Sequence, residues 1–291
     1  MIYPLLHVVV PTFIVIAVGL CWAKGGQRYD TEMVSSLVMN ISGPCLVFAT
    51  LSSLDISPNL LGRIGAATLA SLILSGLIGS LVLRLAGLHL RDFLSPLVFP
   101  NIGNMGLPIC LFAYGSTGLA MAIIVFAVFA AGQFTIGLWL YSGEMSPLAL
   151  LKDPIIYAVL LSLFFLIIGL KPHGLVLKTT GLLGDLTIPL MLFTLGVSLA
   201  QMKVLSITRP LLLSLLRFGM GLGIGILVSA LFGLTTTARG VFILQNSMPV
   251  AVFNYLLAER YKRNADETAE LLVTSTLLSL LTLPIVLHYL K

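Results

Sequence analysis

The side chains best suited to bind a solute are four amides that lie in two interruptions of otherwise apolar segments, at residues 99–108 and 244–249. They are Asn101, Asn104, Gln245 and Asn246. A carboxamide offers hydrogen-bond donors and acceptors without carrying a charge. We therefore predict that these amides bind substrate, and the alternative is that they only satisfy the broken backbone around them.

Both interruptions contain residues that end or bend helices. They are Pro100, Gly103, Gly106 and Pro108 in the first interruption, and Ser247 and Pro249 in the second. In a bilayer, a broken helix leaves N–H and C=O groups that only surrounding protein or a wet cavity can satisfy. Paired broken helices are typical of the solute site of a transporter.

Each interruption would divide its helix into two half-helices. The ends of these half-helices predict which kind of solute binds at the interruptions. We expect Pro108 and Pro249 to open the second half of each broken helix, because proline is favoured in the first helical turn. Free N–H groups and the positive end of the helix dipole would then face the membrane midplane. Two such ends form a site for an anion without a buried lysine.

Three further polar residues lie within apolar segments and are candidates for a proton, ion or counter-charge role. Asp185 is an intramembrane carboxylate, which is costly and points to proton or cation binding. The alternative is that it lies near the outer interface or hydrogen-bonds to the adjacent backbone. Asn40 occupies the matching position of the other half. Arg217 lies about 12 Å into its segment at 1.5 Å per residue, where it would pair with an anionic substrate or with Asp185, or extend its charge to the interface.

The elements that must position these residues are transmembrane helices. The 291 residues are 58% hydrophobic and 9% charged, whereas soluble domains carry about 25% charged residues. A spanning helix needs about 20 apolar residues. Ten segments qualify, at 5–23, 32–53, 63–86, 93–114, 117–141, 153–170, 177–200, 209–232, 238–258 and 268–289. We predict an all-α polytopic membrane protein.

The composition also indicates which partners and cofactors to expect. No basic cluster is interleaved with aromatic residues, so nucleic acid is not an expected partner. The scattered histidines and cysteines have no metal-ligand spacing, so we expect no metal and no cofactor. Gln133, Gln201 and Asn254 are expected to bridge helices through hydrogen bonds.

The two halves of the chain resemble each other. Matching pairs recur at nearly constant separation: Pro44 with Pro189, Arg63 with Arg209, Gly87 with Gly233, and Pro108 with Pro249. Five spans per half would insert the second half upside down, as an inverted repeat. We predict repeats at 1–141 and 153–291, joined by a cytoplasmic linker at 142–152. Most Lys and Arg residues then lie on the inner side, which places both termini outside the cytoplasm.

These motifs resemble the auxin efflux carrier family, which includes plant PIN-type carriers and bacterial organic-acid permeases. The resemblance covers nearly the whole chain. It is carried by Pro100-Asn101 and Gly106-Leu107-Pro108 in the fourth span, Gln245 and Pro249 in the ninth, Pro44 in the second and the region around Pro189 in the seventh.

The resemblance implies a fold like that of bile-acid sodium symporters, with ten helices in two inverted five-helix repeats. Broken helices 4 and 9 cross inside a transport domain of spans 3–5 and 8–10. Spans 1, 2, 6 and 7 form a scaffold that pairs into a homodimer in the lipid bilayer. The short linker, and Asn246 where plant carriers have glycine, favour a prokaryotic member in the plasma (inner) membrane.

The residues and the resemblance together predict a secondary transporter, not an enzyme. It would move a small organic anion, such as malonate or malate, by alternating access, with Asn101 and Gln245 holding the carboxylate. The alternatives are an ion-coupled or uniport carrier of aromatic acids, like an auxin carrier, and a channel. An intramembrane enzyme would need a nucleophile–base pair or metal ligands that the spans do not offer.

Overall fold

The computed structural model describes residues 3–53, 57–143, 154–202 and 207–290, with the backbone alone for residues 3–9 and Pro58. In these ranges every regular element is helical. The α-helices are α1 Tyr3–Lys24, α2 Thr31–Leu37, α3 Gly43–Ser53, α4 Pro58–Leu85, α5 Leu90–Val98, α6 Leu107–Gly132, α7 Leu138–Ser142, α8 Pro154–Ile168, α9 Gly174–Gly184, α10 Thr187–Gln201, α11 Thr208–Leu231, α12 Thr236–Asn246, α13 Val252–Arg260 and α14 Ala265–Leu290. Three π-helical turns, at Val38–Ser42, Ile102–Gly106 and Gln133–Gly137, join neighbouring helices.

Six helical stretches in the described ranges are long and apolar enough to cross a membrane. They are Thr31–Ser53, Asn59–Leu85, Ile102–Ser142, Gly174–Gln201, Thr208–Leu231 and Ala265–Leu290. Two shorter apolar helices, Val10–Lys24 and Pro154–Ile168, accompany them. The predicted fold class, an all-helical polytopic membrane protein, agrees with this architecture.

Helix α6 contains a sharp bend that separates the fourth and fifth predicted spans. Gly115 has φ 65° and ψ −161° inside α6, a conformation that glycine adopts readily and other residues rarely do. The bend falls between residues 114 and 117, where the sequence predicts one span to end and the next to begin.

The first predicted interruption lies earlier in the chain than expected. Helix α5 ends at Val98, and helical structure resumes at Ile102. Pro108 lies in the first turn of α6, as the sequence predicts, but helical structure already begins five residues before α6, at Ile102, which corrects the predicted start of the second half-helix. The π-helical turn is the physical reason, because the N–H of Leu107 bonds the carbonyl of Ile102. This wider turn accommodates the proline that follows without ending the helix.

Pro44 is accommodated within a helix in the same way as Pro108. It follows the π-helical turn Val38–Ser42, where the N–H of Gly43 bonds the carbonyl of Val38. A proline preceded by an i→i−5 hydrogen bond thus continues a helix at both places.

The first group of helices packs through glycines that let backbones approach closely. Helix α1 packs along α10, and α3 packs against α8 and α9. A Cβ atom on Gly196 would lie 1.9 Å from the carbonyl oxygen of Ile16, and one on Gly19 would lie 2.2 Å from that of Phe193. These two contacts fix α1 against α10.

The second group contains α4, α5, α6, α11, α12 and α14, which pack around both predicted interruptions. Of the alternating glycines in α11, Gly221 and Gly225 lie against α12. A Cβ atom on Gly219 or Gly223 would instead meet no described atom within 4 Å. Glycines four residues apart let two helices approach closely, and Gly221 and Gly225 do so for α11 and α12.

Alanine at Gly221 is expected to destabilise the protein, whereas alanine at Gly223 is not. The new Cβ on Gly221 would lie 2.0 Å from the carbonyl oxygen of Asn246, and such overpacking costs about 1–3 kcal/mol. Gly223→Ala is the matched control in the same helix. Thermal unfolding of the two detergent-purified variants measures the difference, and equal transition temperatures would contradict the close contact between α11 and α12.

Candidate functional site

A cavity of about 270 Å³ lies between the two groups of helices. Its walls come from α2, α3, α8 and α10 on one side, and from α6, α13 and the first interruption on the other. Its polar lining consists of Thr31, Ser35, Asn101, Asn104, Gln133, Thr187, Thr194 and Ser198. No Asp, Glu, Lys, Arg or His of the described residues lines it. The lining that the described residues provide is therefore neutral.

The two interrupted segments meet at one end of this cavity. The N–H of Asn101 donates to the carbonyl of Pro249 at 2.7 Å, and the N–H of Ala251 donates to the carbonyl of Phe99 at 3.4 Å. Pro100 and Val250 form an antiparallel bridge between these bonds. The backbone groups that each break frees are thus partly satisfied by the other break.

Two helix N-termini line the cavity beside this pairing. The first half-helix starts at Ile102, and its residues Gly103 and Asn104 contribute to the lining. Helix α13 starts at Val252, and Val252 and Phe253 contribute likewise. The first N–H groups of a helix have no partner within it. Because the positive ends of both dipoles meet here, the arrangement favours a bound anion.

Asn254 joins the two breaks through a buried hydrogen-bond network. Its Nδ2 donates to the carbonyl of Phe99 at 3.1 Å. Its Oδ1 accepts from Ser95 Oγ at 2.8 Å and from Gln133 Nε2 at 3.1 Å. The bridging role predicted for Gln133 and Asn254 is confirmed, whereas Gln201 is exposed. The involvement of Ser95 was not predicted, because nothing in the local sequence links it to residue 254.

The four predicted substrate-binding amides divide into two pairs. Asn101 and Asn104 line the cavity. Asn101 is 3% exposed, and its Nδ2 has no hydrogen-bond partner among the described residues. Gln245 and Asn246 are buried but do not line the cavity. The Nδ2 of Asn246 donates to the carbonyl of Phe242 at 2.9 Å. Asn246 thus has the alternative role, in which the amide satisfies a backbone group.

Gln245 lies behind the first half-helix, against Gly106. A Cβ atom on Gly106 would lie 2.0 Å from the side-chain oxygen of Gln245. Neither the amide oxygen nor the amide nitrogen of Gln245 has a hydrogen-bond partner among the described residues. Gly106 therefore provides the space that this side chain occupies. Substrate contact by Gln245 stays a prediction, and it requires a different arrangement of the two half-helices.

The other predicted break residues have separate roles. Pro100 and Gly103 line the cavity. The hydroxyl of Ser247 donates to the carbonyl of Ile243 at 2.8 Å at the end of α12. Pro249 accepts the hydrogen bond from Asn101 and lies three residues before Val252, where α13 begins. Pro249 therefore lies between the half-helices and does not open the second one, which corrects the prediction, because Ala251 is the residue that caps α13.

None of the three predicted charge or ion candidates lines the cavity. Asp185 is exposed at the junction of α9 and α10. Asn40, the residue that matches Asp185 in the other half, is exposed in the π-helical turn Val38–Ser42. Its Nδ2 donates to the carbonyl of Ser36 at 2.9 Å. Neither lines the cavity. Both lie at irregular points of their helices, and each is followed four residues later by a proline, Pro44 or Pro189.

Arg217 is 2% exposed and donates from Nη2 to the carbonyl of Asn246 at 2.9 Å. It does not extend to the interface, so that alternative is wrong. It does not pair with Asp185, which is exposed, and no carboxylate of the described residues forms an ion pair with it. The close approach of α11 to α12 at Gly221 holds the guanidinium at the end of α12.

Tyr29 contacts a residue that lines the cavity. Its hydroxyl lies 2.6 Å from Oγ1 of Thr194, a lining residue, and its ring packs on Phe193 at 5.2 Å. Burial raises the pKa of Tyr29 above its ordinary value, while the hydrogen bond with Thr194 acts in the opposite direction. The phenol is therefore neutral at physiological pH, and this contact does not titrate there.

Comparison with known proteins gives one family. The sequence matches the family described as "Membrane transport protein" over residues 4–145 and 137–287. An uncharacterized transporter of Methanocaldococcus jannaschii is 24% identical over 276 residues, covering 88% of this chain and 89% of the relative. An uncharacterized transporter of Methanothermobacter thermautotrophicus is 29% identical over 271 residues, covering 88% of each chain.

The matched stretches cover nearly the whole chain, including both interruptions and the cavity they border. The apolar helices agree with this assignment. A transporter family points away from an enzyme. The chain is therefore an integral membrane protein that belongs to the membrane transport protein family, the auxin efflux carriers whose motifs it resembles.

Proposed function

We propose that this protein is a secondary transporter that moves an organic anion across the membrane by alternating access. The observation that carries the proposal is the meeting of two helix N-termini and the unpartnered amide of Asn101 at one cavity. Helix N-termini bind anionic groups through their N–H groups and dipoles. The carboxylate would lie beside Asn101 and Asn104, with Gly103 and Val252 supplying backbone N–H groups.

The lining of the cavity favours a particular kind of anion. Five phenylalanines and two methionines form much of its wall, namely Phe99, Phe126, Phe129, Phe134, Phe253, Met39 and Met191. Apolar surface of this kind binds an apolar body. A second carboxylate would lie against these rings without a cation to pair with. We therefore propose a monocarboxylate with an aromatic or aliphatic body, in preference to malonate or malate.

The packing of the helices supports a carrier with two moving parts. The first group corresponds to the predicted scaffold of spans 1, 2, 6 and 7, and the second to the predicted transport domain. We propose ten spans in two inverted repeats, with the fourth and ninth crossing where Pro100 faces Val250. The scaffold would form the homodimer, both termini would lie outside the cytoplasm, and the protein would reside in the plasma (inner) membrane.

Binding by a panel of carboxylates tests the substrate class. We expect aromatic and branched aliphatic monocarboxylates to raise the unfolding temperature of the purified protein in a saturable way, because a ligand that binds the native state stabilises it. Dicarboxylates of similar size should have at least tenfold lower affinity. Stabilisation by dicarboxylates alone would contradict the proposed class, and the matching uncharged amides serve as controls.

Coupling to a proton through Asp185 is tested separately. Because its side chain is exposed and outside the cavity, we expect Asp185→Asn to keep at least half of the wild-type transport rate. The measurement is uptake into vesicles with a pH gradient, a sodium gradient or a membrane potential imposed in turn. Loss of a pH-driven component in Asp185→Asn would instead assign proton transfer to this carboxylate.

A further inference from the structure

Arg217 carries a buried charge whose side-chain interactions are incomplete. The guanidinium is 2% exposed, and the carbonyl of Asn246 is its hydrogen-bond acceptor. Its Nε has no hydrogen-bond partner among the described residues. A buried charge is strongly unfavourable unless it is paired and hydrogen-bonded. The partial negative charge at the end of α12 compensates only part of it, since a helix end carries about half an elementary charge.

A small cavity adjoins this guanidinium. Its volume is about 10 Å³, which is close to the space that one water-sized sphere needs. Besides Arg217, its lining includes five hydroxyl-bearing side chains and four apolar residues, namely Ser214, Ser247, Ser275, Ser279, Thr282, Phe218, Met248, Pro249 and Leu278. It shares no lining residue with the large cavity.

The surroundings of this small cavity fit an anion. No acidic side chain from the described part of the chain lines it, so no carboxylate in its wall competes for the guanidinium. Ser247, Ser275 and Ser214 donate to carbonyls of their own helices, and each can turn its hydroxyl towards a new acceptor. A monatomic anion requires several donors and little space, and a guanidinium with neighbouring hydroxyls provides both.

We infer that this cavity is a binding site for a small inorganic anion of chloride size, which serves as the counter-ion of Arg217. The site is separate from the proposed transport cavity and does not depend on the identity of the transported solute. Ser247 and Pro249 belong both to the site and to the second interruption. The anion would therefore fix the guanidinium at the end of α12 and, through it, the position of the break.

The test compares the full-length protein, purified in detergent, in sodium chloride, sodium bromide and sodium gluconate at equal ionic strength. Chloride and bromide are expected to raise the unfolding temperature by several degrees in a saturable manner. Gluconate, which is too large for the cavity, should have no such effect. Broadening of the 35Cl resonance by the protein, and its reversal by bromide, measures binding independently of unfolding.

Variants decide whether Arg217 carries the effect. Arg217→Met should abolish both the halide stabilisation and the 35Cl broadening. If that variant fails to fold, Thr282→Val removes one lining hydroxyl at nearly constant volume and should raise the halide midpoint several-fold. Arg209→Gln is the matched control, because Arg209 is exposed and paired with Glu267 at 3.0 Å, and it should respond to halide like the wild type.

Three outcomes would overturn the inference. Equal stability in chloride and gluconate, without 35Cl broadening, would mean that the cavity takes water. A halide effect that persists in Arg217→Met would locate the anion elsewhere. A halide effect lost in Arg209→Gln as well would identify general charge screening and not a site.

Discussion

Replacing Asn101 with alanine is expected to lower the affinity for the transported anion at least about tenfold and to reduce transport correspondingly. The Nδ2 of Asn101 is buried at the cavity without a partner among the described residues, so its hydrogen bond is available to the solute. A hydrogen bond to a charged group contributes about 1.5–3 kcal/mol, and 1.4 kcal/mol corresponds to a tenfold change in affinity. Ligand-induced stabilisation and vesicle uptake both measure the loss.

The same variant should unfold at nearly the wild-type temperature, because the amide nitrogen makes no hydrogen bond to another described residue. Asn40→Ala is the matched control, since it removes an exposed amide that lies outside the cavity. It should keep wild-type affinity. Normal affinity in Asn101→Ala would remove this residue from the site and leave the amide with a structural role.

Replacing Asn254 with alanine is expected to have the largest effect on stability, and to impair transport as a result. The substitution leaves the carbonyl of Phe99, the hydroxyl of Ser95 and the amide of Gln133 without the partners that Asn254 provides. Each buried polar group left unsatisfied costs about 1–3 kcal/mol. We expect a total loss of about 3 kcal/mol, because water in the space left by the side chain would satisfy some of these groups.

Ser95→Ala tests whether the stability lost in Asn254→Ala comes from the hydrogen-bond network or from a local defect at residue 254. It removes one of the three bonds and should therefore destabilise the protein by about 1 kcal/mol. The double variant should lose little more than Asn254→Ala alone, since the two residues share a bond. Thermal unfolding measures all three variants, and wild-type stability of Asn254→Ala would contradict the network.

The sequence predicts the existence of both interruptions but not the boundary of the first. Pro108 is a strong signal for the start of a helix. The structure accommodates this proline inside a helix, because an i→i−5 turn precedes it. Local propensity does not distinguish a proline that ends a helix from one that follows a π-helical turn. The same turn before Pro44 confirms that the difference lies in the hydrogen bonds and not in the residue type.

The sequence predicts the candidate site only in part. All four amides lie in the interruptions, but a sequence does not fix which of them face a cavity and which face a neighbouring helix. Asn101 lines the cavity, whereas Asn246 is directed to its own helix. The roles of Arg217 and Asn254 depend on contacts with residues distant in sequence. Arg217 donates to the carbonyl of Asn246 because α11 packs closely on α12 at Gly221. Asn254 donates to the carbonyl of Phe99.

Counterflow through the reconstituted protein is the most direct test of the central claim, that this chain is a carrier with an anion site at the paired breaks. Vesicles are loaded with an excess of the monocarboxylate that most stabilises the protein, and uptake of labelled solute is followed from outside. We predict saturable uptake that the internal solute accelerates, that Asn101→Ala strongly reduces and that Asn40→Ala preserves. Uptake that rises linearly with concentration, without acceleration by internal solute or dependence on Asn101, would contradict the account.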